Sequence, residues 1–225
     1  MKAVPHVLIV SSPGAGELHW SHDFAAAIVA ECRRRGAPTS WLAAVRRGQR
    51  LPEEPTAAAP TLLPVAITAS PTRVAADTGH LALELAVTRA LRERPGTVVV
   101  HVGIGARGSP NVPWLAERLG ARAFAVLRSA EVVCHRGDLV ECTGDPCRDC
   151  RSPERCRWCC SGWWNRPAAD DFRNRSDLLA ASLQACACIW VPAAADVAPL
   201  GDFGLTARVC EVGHDAAAIV ARLLG

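Results

Sequence analysis

Thr97-Val98-Val99-Val100-His101-Val102 is the stretch that decides the fold. It is apolar almost throughout, with no alternation between polar and apolar positions. A strand with one face in water would alternate. A continuous apolar run needs cover on both faces, which is the condition of a strand inside a parallel sheet. Pro95-Gly96 precedes the run and Gly103 follows it, so it is punctuated as a strand.

Working upstream, a helix is expected over about Thr78–Arg94 and a strand over Leu62–Thr68. Residues 46–60 are rich in Arg, Pro, Glu and Ala and read as a surface loop. Thr39–Val45 reads as a strand. A helix from about Leu18 to Arg35 is stopped by Gly36 and Pro38. The chain opens with the buried strand Val4–Val10 and the turn Ser11–Glu17. Downstream come a loop with Gly103, Gly105 and Gly108, a short helix near Val112–Leu119 and a strand Ala121–Leu127. A cysteine-rich insert over residues 128–166 then interrupts the pattern. Helix Asp170–Ala187, strand Ile189–Val191, a short helix near Asp196–Phe203, strand Ala207–Val212 and helix Ala216–Leu224 close the chain. Strand and helix in alternation predict an α/β, doubly wound, Rossmann-like parallel sheet with right-handed crossovers. In such sheets ligands bind beyond the carboxyl ends of the strands. Three loops stand there: Ser11–Glu17, Gly103–Asn111, and the chain from Arg128 onward.

The chain has 225 residues, 50% of them hydrophobic and 21% charged, which fits a single folded domain over 1–225 and excludes a disordered chain. The net charge of +3 is too small to argue for nucleic acid as a partner. No apolar stretch approaches the ~20 residues of a membrane helix. Val7–Val10 is too short for the core of a signal peptide, so a cytoplasmic location is expected. There the cysteines are expected as thiols or metal ligands rather than disulfides.

Of 11 cysteines, seven fall between Cys134 and Cys160. Cys147-Arg148-Asp149-Cys150 and Cys156-Arg157-Trp158-Cys159 are two C-x-x-C pairs, and each can grip a metal from a tight knuckle. Only five residues separate the pairs, short of the usual ribbon spacing of ~15–20. A structural zinc could therefore take Cys134, Cys147, Cys156 and Cys159, with Cys150 or Cys142 as substitutes. An iron–sulfur cluster is the second reading, although the spacing does not match a ferredoxin run. Uncoordinated or oxidised thiols are the third. A metal would supply the ordering free energy that an insert poor in aliphatic residues lacks.

The other candidates have plainer alternatives. Gly14, Gly16 and Glu17 precede a helix start, where backbone N–H groups can meet a phosphate or sugar, but a tight turn explains them equally. His101 is the weak catalytic candidate and, alone in a buried strand, reads first as a satisfied core residue. His19 and His22 share a helix face that reads most simply as solvated. His135 could be a metal ligand or support one. Trp158, Trp163 and Trp164 could stack a sugar, pack the metal knuckle or meet a protein partner.

The order of these pieces resembles the N-terminal domain of family-4-type retaining GT-B glycosyltransferases. The opening strand, Gly14, Gly16 and Glu17 look like that family's start, and Val98–Val102 with His101 is similar to its Val-Val-His-Val strand. Cys134-His135-Arg136-Gly137, Pro146-Cys147 and Arg155-Cys156-Arg157-Trp158-Cys159 resemble the cysteine insert of some members. Arg208-Val209-Cys210-Glu211-Val212-Gly213-His214-Asp215 resembles the segment at the interdomain crossing. The resemblance implies a nucleotide-sugar or glycan substrate, an acceptor near Gly14, Gly16, His101 and the Gly103–Asn111 loop, and a second, donor-binding half. It also implies an inactive chain when that half is missing, and hence a protein partner or a homo-oligomer. A non-catalytic zinc-binding scaffold derived from such an enzyme is the alternative. Four departures favour that alternative: Gly103 stands for a second histidine, Arg128-Ser129 for His-Asp, Ala193 for a serine and Val212 for an asparagine.

Overall fold

The computed structural model describes residues 4–12, 20–46, 62–67, 80–104, 109–135, 139–147, 152–161, 169–201, 203–205 and 208–225. Its centre is β4, Val98–Val102, buried at every position. β1 (Val7–Ser11) lies on one side of it and β5 (Arg122–Val126) on the other, both parallel to it. β2 (Thr39–Arg46) and β3 (Leu62–Ile67) extend the sheet beyond β1. β6 (Cys186–Val191) and β7 (Val209–Glu211) extend it beyond β5. The sheet has seven strands in the order β3-β2-β1-β4-β5-β6-β7. Strand order reverses between β1 and β4, and the crevice at that switch point is where this architecture places ligands.

Side-chain alternation sorts the sheet into two cores. Val7, Ile9, Val98, Val100 and Val102 pack on α1 (Trp20–Arg34) and α8 (Ala216–Leu224) through Phe24, Ile28, Ile219 and Leu223. Leu8, Val10 and Val99 face the opposite side. There they share a core with Leu83 and Val87 of α2 (Leu81–Glu93), Ala116 of α3 (Val112–Arg118) and Leu183 of α6 (Ala169–Gln184). Helices therefore cover both faces, which is why β4 needs no polar alternation. The doubly wound, Rossmann-like α/β fold read from the sequence is the fold observed.

The α6–β6 boundary and the cysteine segment differ most from the sequence reading. α6 ends at Gln184 and β6 begins at Cys186, three residues before the expected strand start at Ile189. Cys186 is fully buried and pairs with Ala123, so its small thiol behaves as a core residue and extends the strand. The cysteine segment is also more regular than expected. It contains α4 (Ser129–Val133), a turn closed by an antiparallel Val140–Pro146 bridge, and α5 (Pro153–Cys159). Ser152 caps α5, its hydroxyl accepting from the Arg155 N–H at 3.2 Å, and Pro153 fills the first turn. α7 (Val197–Gly201) follows a single 3₁₀ turn at Ala194–Asp196.

Candidate functional site

The carboxyl edge of the sheet collects buried polar groups. At the end of β1 the Trp41 indole N–H donates to Ser11 Oγ at 2.8 Å, and the Ser11 hydroxyl meets His22 Nδ1 at 2.8 Å. The Ser11 oxygen accepts from Trp41 and still has a lone pair and a proton, so the His22 tautomer sets the direction of the Ser11–His22 bond. Ser11, His22 and Trp41 are all buried. The expected solvated face at His22 is therefore corrected: α1 turns this histidine into the sheet, where it meets the Ser11 hydroxyl. A serine–histidine pair suggests a nucleophile, but burial of the whole group makes it a structural clip.

Gly103, where the resemblance would place a second histidine, is fixed by its surroundings. It leaves β4 at φ 72°, in the left-handed region that glycine tolerates. A Cβ here would lie 2.7 Å from Ser21 Cβ and 2.9 Å from the Ser12 carbonyl oxygen. Ser21 Oγ already donates to that same carbonyl at 2.6 Å. The start of α1 is thus packed directly against the end of β4, and no second histidine fits.

His101 is fully buried between Val10 and Ala125 in the strand register. Neither ring nitrogen has a hydrogen-bond partner among the described residues. Burial pushes its pKa down to about 3, so the ring is neutral. The expectation of a satisfied core histidine is half met: it is in the core, and it is unsatisfied there.

A second polar group lies at the ends of β5 and β6. Glu131 of α4 accepts from the Trp20 indole N–H at 3.1 Å and from the Arg128 backbone N–H at 3.3 Å. Desolvation raises its pKa to about 7, against those hydrogen bonds and the Arg128 charge, which lower it. The Arg128 guanidinium sits 5.0 Å over the Trp20 ring. Asp196 accepts from the Ser129 N–H at 2.8 Å and the Ser129 hydroxyl at 2.6 Å. Arg128 and Ser129 thus have defined structural contacts. Glu131 is the titratable group the sequence reading missed. Its position one helical turn past a strand end was a signal, but its burial was not legible from a single charged residue.

The cysteine segment forms a third constellation. Cys134, His135, Cys147, Cys156, Cys159 and Cys160 line one cavity, together with Glu141 and Arg155. The cavity is small, about 20 Å³, enough for a water-sized guest. Cys134 follows the end of α4, Cys147 follows the turn, and Cys156 and Cys159 lie on α5. Arg155 reaches back to Glu141, its Nη2 lying 2.6 Å from Oε1 and 2.8 Å from Oε2. Arg175 of α6 is buried and donates to the Glu131 and Val132 carbonyls at 3.0 and 3.3 Å. Desolvation lowers its pKa to about 10, opposed by Cys134, Cys156 and Glu131. The His135 ring stands edge-on to Phe172 at 4.4 Å and is held neutral, its pKa pushed down to about 2 by burial and by Arg175. The ten cysteines among the described residues form no disulfide with one another. Among the described residues, no three His, Cys, Asp or Glu donors stand close enough to hold a metal as placed.

Cys142 is exposed and does not line the cavity. Gly14, Gly16, Glu17, Cys150, Trp163 and Trp164 lie outside the described residues. Trp158 is half-exposed. No helix among the described residues is long and apolar enough to cross a membrane.

No protein-family model and no curated protein sequence matches the chain. Solved structures do. UDP-N-acetylglucosamine 2-epimerase from Rickettsia bellii is similar to 98% of this chain over 47% of its own, with a TM-score of 0.51 and 9% identity. A UDP-glucosyltransferase from Polygonum tinctorium is similar to 94% of this chain over 52% of its own, with a TM-score of 0.44 and 15% identity. MurG from Acinetobacter baumannii matches 55% of this chain over 35% of its own, with a TM-score of 0.34 and 17% identity. The chain spans about half the length, or less, of these proteins, at 47%, 52% and 35%. At 9% identity the epimerase likeness is one of fold. The chain has a Rossmann-like fold similar to about half of that epimerase.

Proposed function

We propose that the chain is the acceptor-side half of a glycosyltransferase-like protein of the family-4 type, completed by a donor-binding half from the same or another polypeptide. The observation that carries this is the carboxyl edge of the sheet. Ser12 is buried just past the end of β1, His101 is buried within β4 one residue before its end, and neither Ser12 Oγ nor the His101 ring has a partner among the described residues. Buried polar groups are normally paired, so unpaired ones in a ligand-side crevice point to a ligand or a facing surface. The substrate class is a nucleotide-sugar or its glycan acceptor, in keeping with the resemblance. Thiols that form no disulfide with one another fit a reducing, cytoplasmic compartment.

Retaining transfer needs the leaving diphosphate stabilised as charge develops, and that is the largest catalytic contribution in most enzymes. Half a cleft also cannot hold donor against acceptor. The chain by itself is therefore expected to release no nucleotide from UDP-, GDP- or ADP-sugars. Steady release by the isolated chain, abolished by His101→Ala, would overturn both the half-site reading and the core position given to His101.

A non-catalytic scaffold is the second reading. The packing of Ser21 against Gly103 favours it, because that contact fills the place of a second polar side chain in the crevice.

A further inference from the structure

We propose that the cavity between α4, the 139–147 turn and α5 is a structural zinc site, with Cys134, Cys147, Cys156 and Cys159 as ligands and Arg175 as its buried counter-charge. This is independent of the glycosyltransferase reading and stands or falls separately.

The first argument is convergence. Three separate pieces of chain bring thiols to the wall of one small cavity. α5 has no fully buried residue, so apolar burial does not explain why it docks there. The turn that carries Cys147 bends through Leu139, whose φ of 56° makes it the non-glycine residue with positive φ among those described. That conformation costs a leucine roughly 1–2 kcal/mol. It persists because the Cys147 N–H donates to the Leu139 carbonyl at 2.7 Å and the Glu141 N–H to the Asp145 carbonyl at 2.7 Å. The strained turn delivers Cys147 to the cavity.

The second argument is charge. Arg175 is 4% exposed, and its hydrogen bonds shown here end on neutral carbonyls. A buried cation needs an anion nearby. The acidic groups near enough to favour its charge are Cys134, Cys156 and Glu131. Glu131 is buried and hydrogen-bonded on its own side by Trp20. Zinc held by four thiolates carries a net negative charge and gives Arg175 the anion it lacks.

The third argument separates ligands from neighbours. Cys160 is 1% exposed and packs on Phe172, as a core thiol does. His135 also lines the cavity, but its ring stands edge-on to the same Phe172 ring, packed there rather than paired with the α5 thiols. That leaves Cys159 as the α5 partner of Cys156, three residues apart on one helix face. Since the donors do not yet converge, binding draws the thiols inward by rotation between staggered χ1 positions. Each ligand loses its proton to solvent as the ion enters, and no electron moves.

The test uses the full chain in reducing buffer, stripped with chelator and reconstituted with zinc or cobalt. Expected are one metal per chain, the strong visible bands and thiolate charge transfer of tetrahedral cobalt, and four thiols shielded from alkylation. Cys134→Ser and Cys156→Ser should lose the cobalt spectrum, while Cys160→Ser and Cys142→Ser keep it. Arg175→Met should weaken zinc binding about 10–100-fold with the ligands intact. Sub-stoichiometric metal, weak octahedral cobalt bands, or iron absorption in the protein as purified would overturn the proposal. So would a spectrum lost in Cys160→Ser and kept in Cys159→Ser. The wild-type spectrum and thiol count decide the matter even if a cysteine variant fails to fold.

Discussion

The parallel sheet and the cysteine segment are ordered by different physics. β1, β4 and most of β5 are buried residue by residue, and two apolar cores clamp them from both faces. At roughly 25 cal/mol per Å² of apolar surface, such burial needs no further device. Among the described residues from Leu139 to Ser161 there is no comparable apolar filling. Their buried cluster is Cys160 on Phe172 with Cys156 beside them, and Glu141 pairs with Arg155 of a capped short helix. Where apolar area is scarce, order has to come from elsewhere: the Glu141–Arg155 pair here and, on the zinc proposal, coordination.

The comparison can be broken first from the sheet side. Trp190 is 1% exposed and stacks on Phe124 with ring centroids 4.9 Å apart. Trp190→Ala should cost about 3–5 kcal/mol in urea unfolding. A loss under about 1 kcal/mol would mean that this core does not hold the sheet.

Buried titrating groups come next. Glu131 has a folded pKa near 7, above its ordinary value of 4.5, so the folded state holds the extra proton. Stability should therefore fall as pH rises from 4.5 to 7, by as much as a few kcal/mol, and Glu131→Gln should flatten that fall. His101 acts in the opposite sense. Its pKa is depressed from 6.5 to about 3, so the stability tied to its neutral ring is present above pH 6.5 and lost as pH drops toward 3. His101→Leu should remove that acid sensitivity without loss at pH 7, because no hydrogen bond to a described residue is given up. Unfolding curves between pH 3 and 8 check both, and slopes unchanged in the variants would contradict the burial of these groups.

Within the cysteine segment, Glu141→Gln weakens the pair with Arg155. That arginine side chain is 45% exposed, so the expected global loss is only about 1 kcal/mol. The smallest stability effect should come from Trp158→Ala, within about 0.5 kcal/mol, since the ring is half in water. If Trp158 serves a partner surface, as its exposed aromatic character suggests, the same change should lower self-association or partner capture in sedimentation. Sedimentation unchanged by the variant would remove this residue from the interface.

How much of this was legible in the sequence follows the same division. The valine run of β4 reported its own burial, because a strand covered on both faces leaves a pattern in its own residues. The small boundary error at Cys186 arose because a cysteine in a strand looks like a chemical residue and behaves as a small apolar one. The site was harder to read. The gathering of Cys134, Cys147, Cys156 and Cys159 around one cavity could be anticipated from local spacing. The Arg175 charge beside them could not, since it comes from α6 and its sequence neighbourhood, Asn174-Arg175-Ser176, looks like a polar surface. His22, Ser11 and Trp41 are likewise joined only when β1, β2 and α1 meet.

The most direct test of the account is hydrogen exchange on the whole chain with zinc bound and after chelation. Amides of Val99 and Val100 should keep their protection in both states. Those of Glu141, Cys147 and Cys160 should exchange at least about tenfold faster once the metal is removed, because their opening is then no longer opposed by coordination. Equal protection of the cysteine segment with and without metal would contradict the claim that coordination orders it.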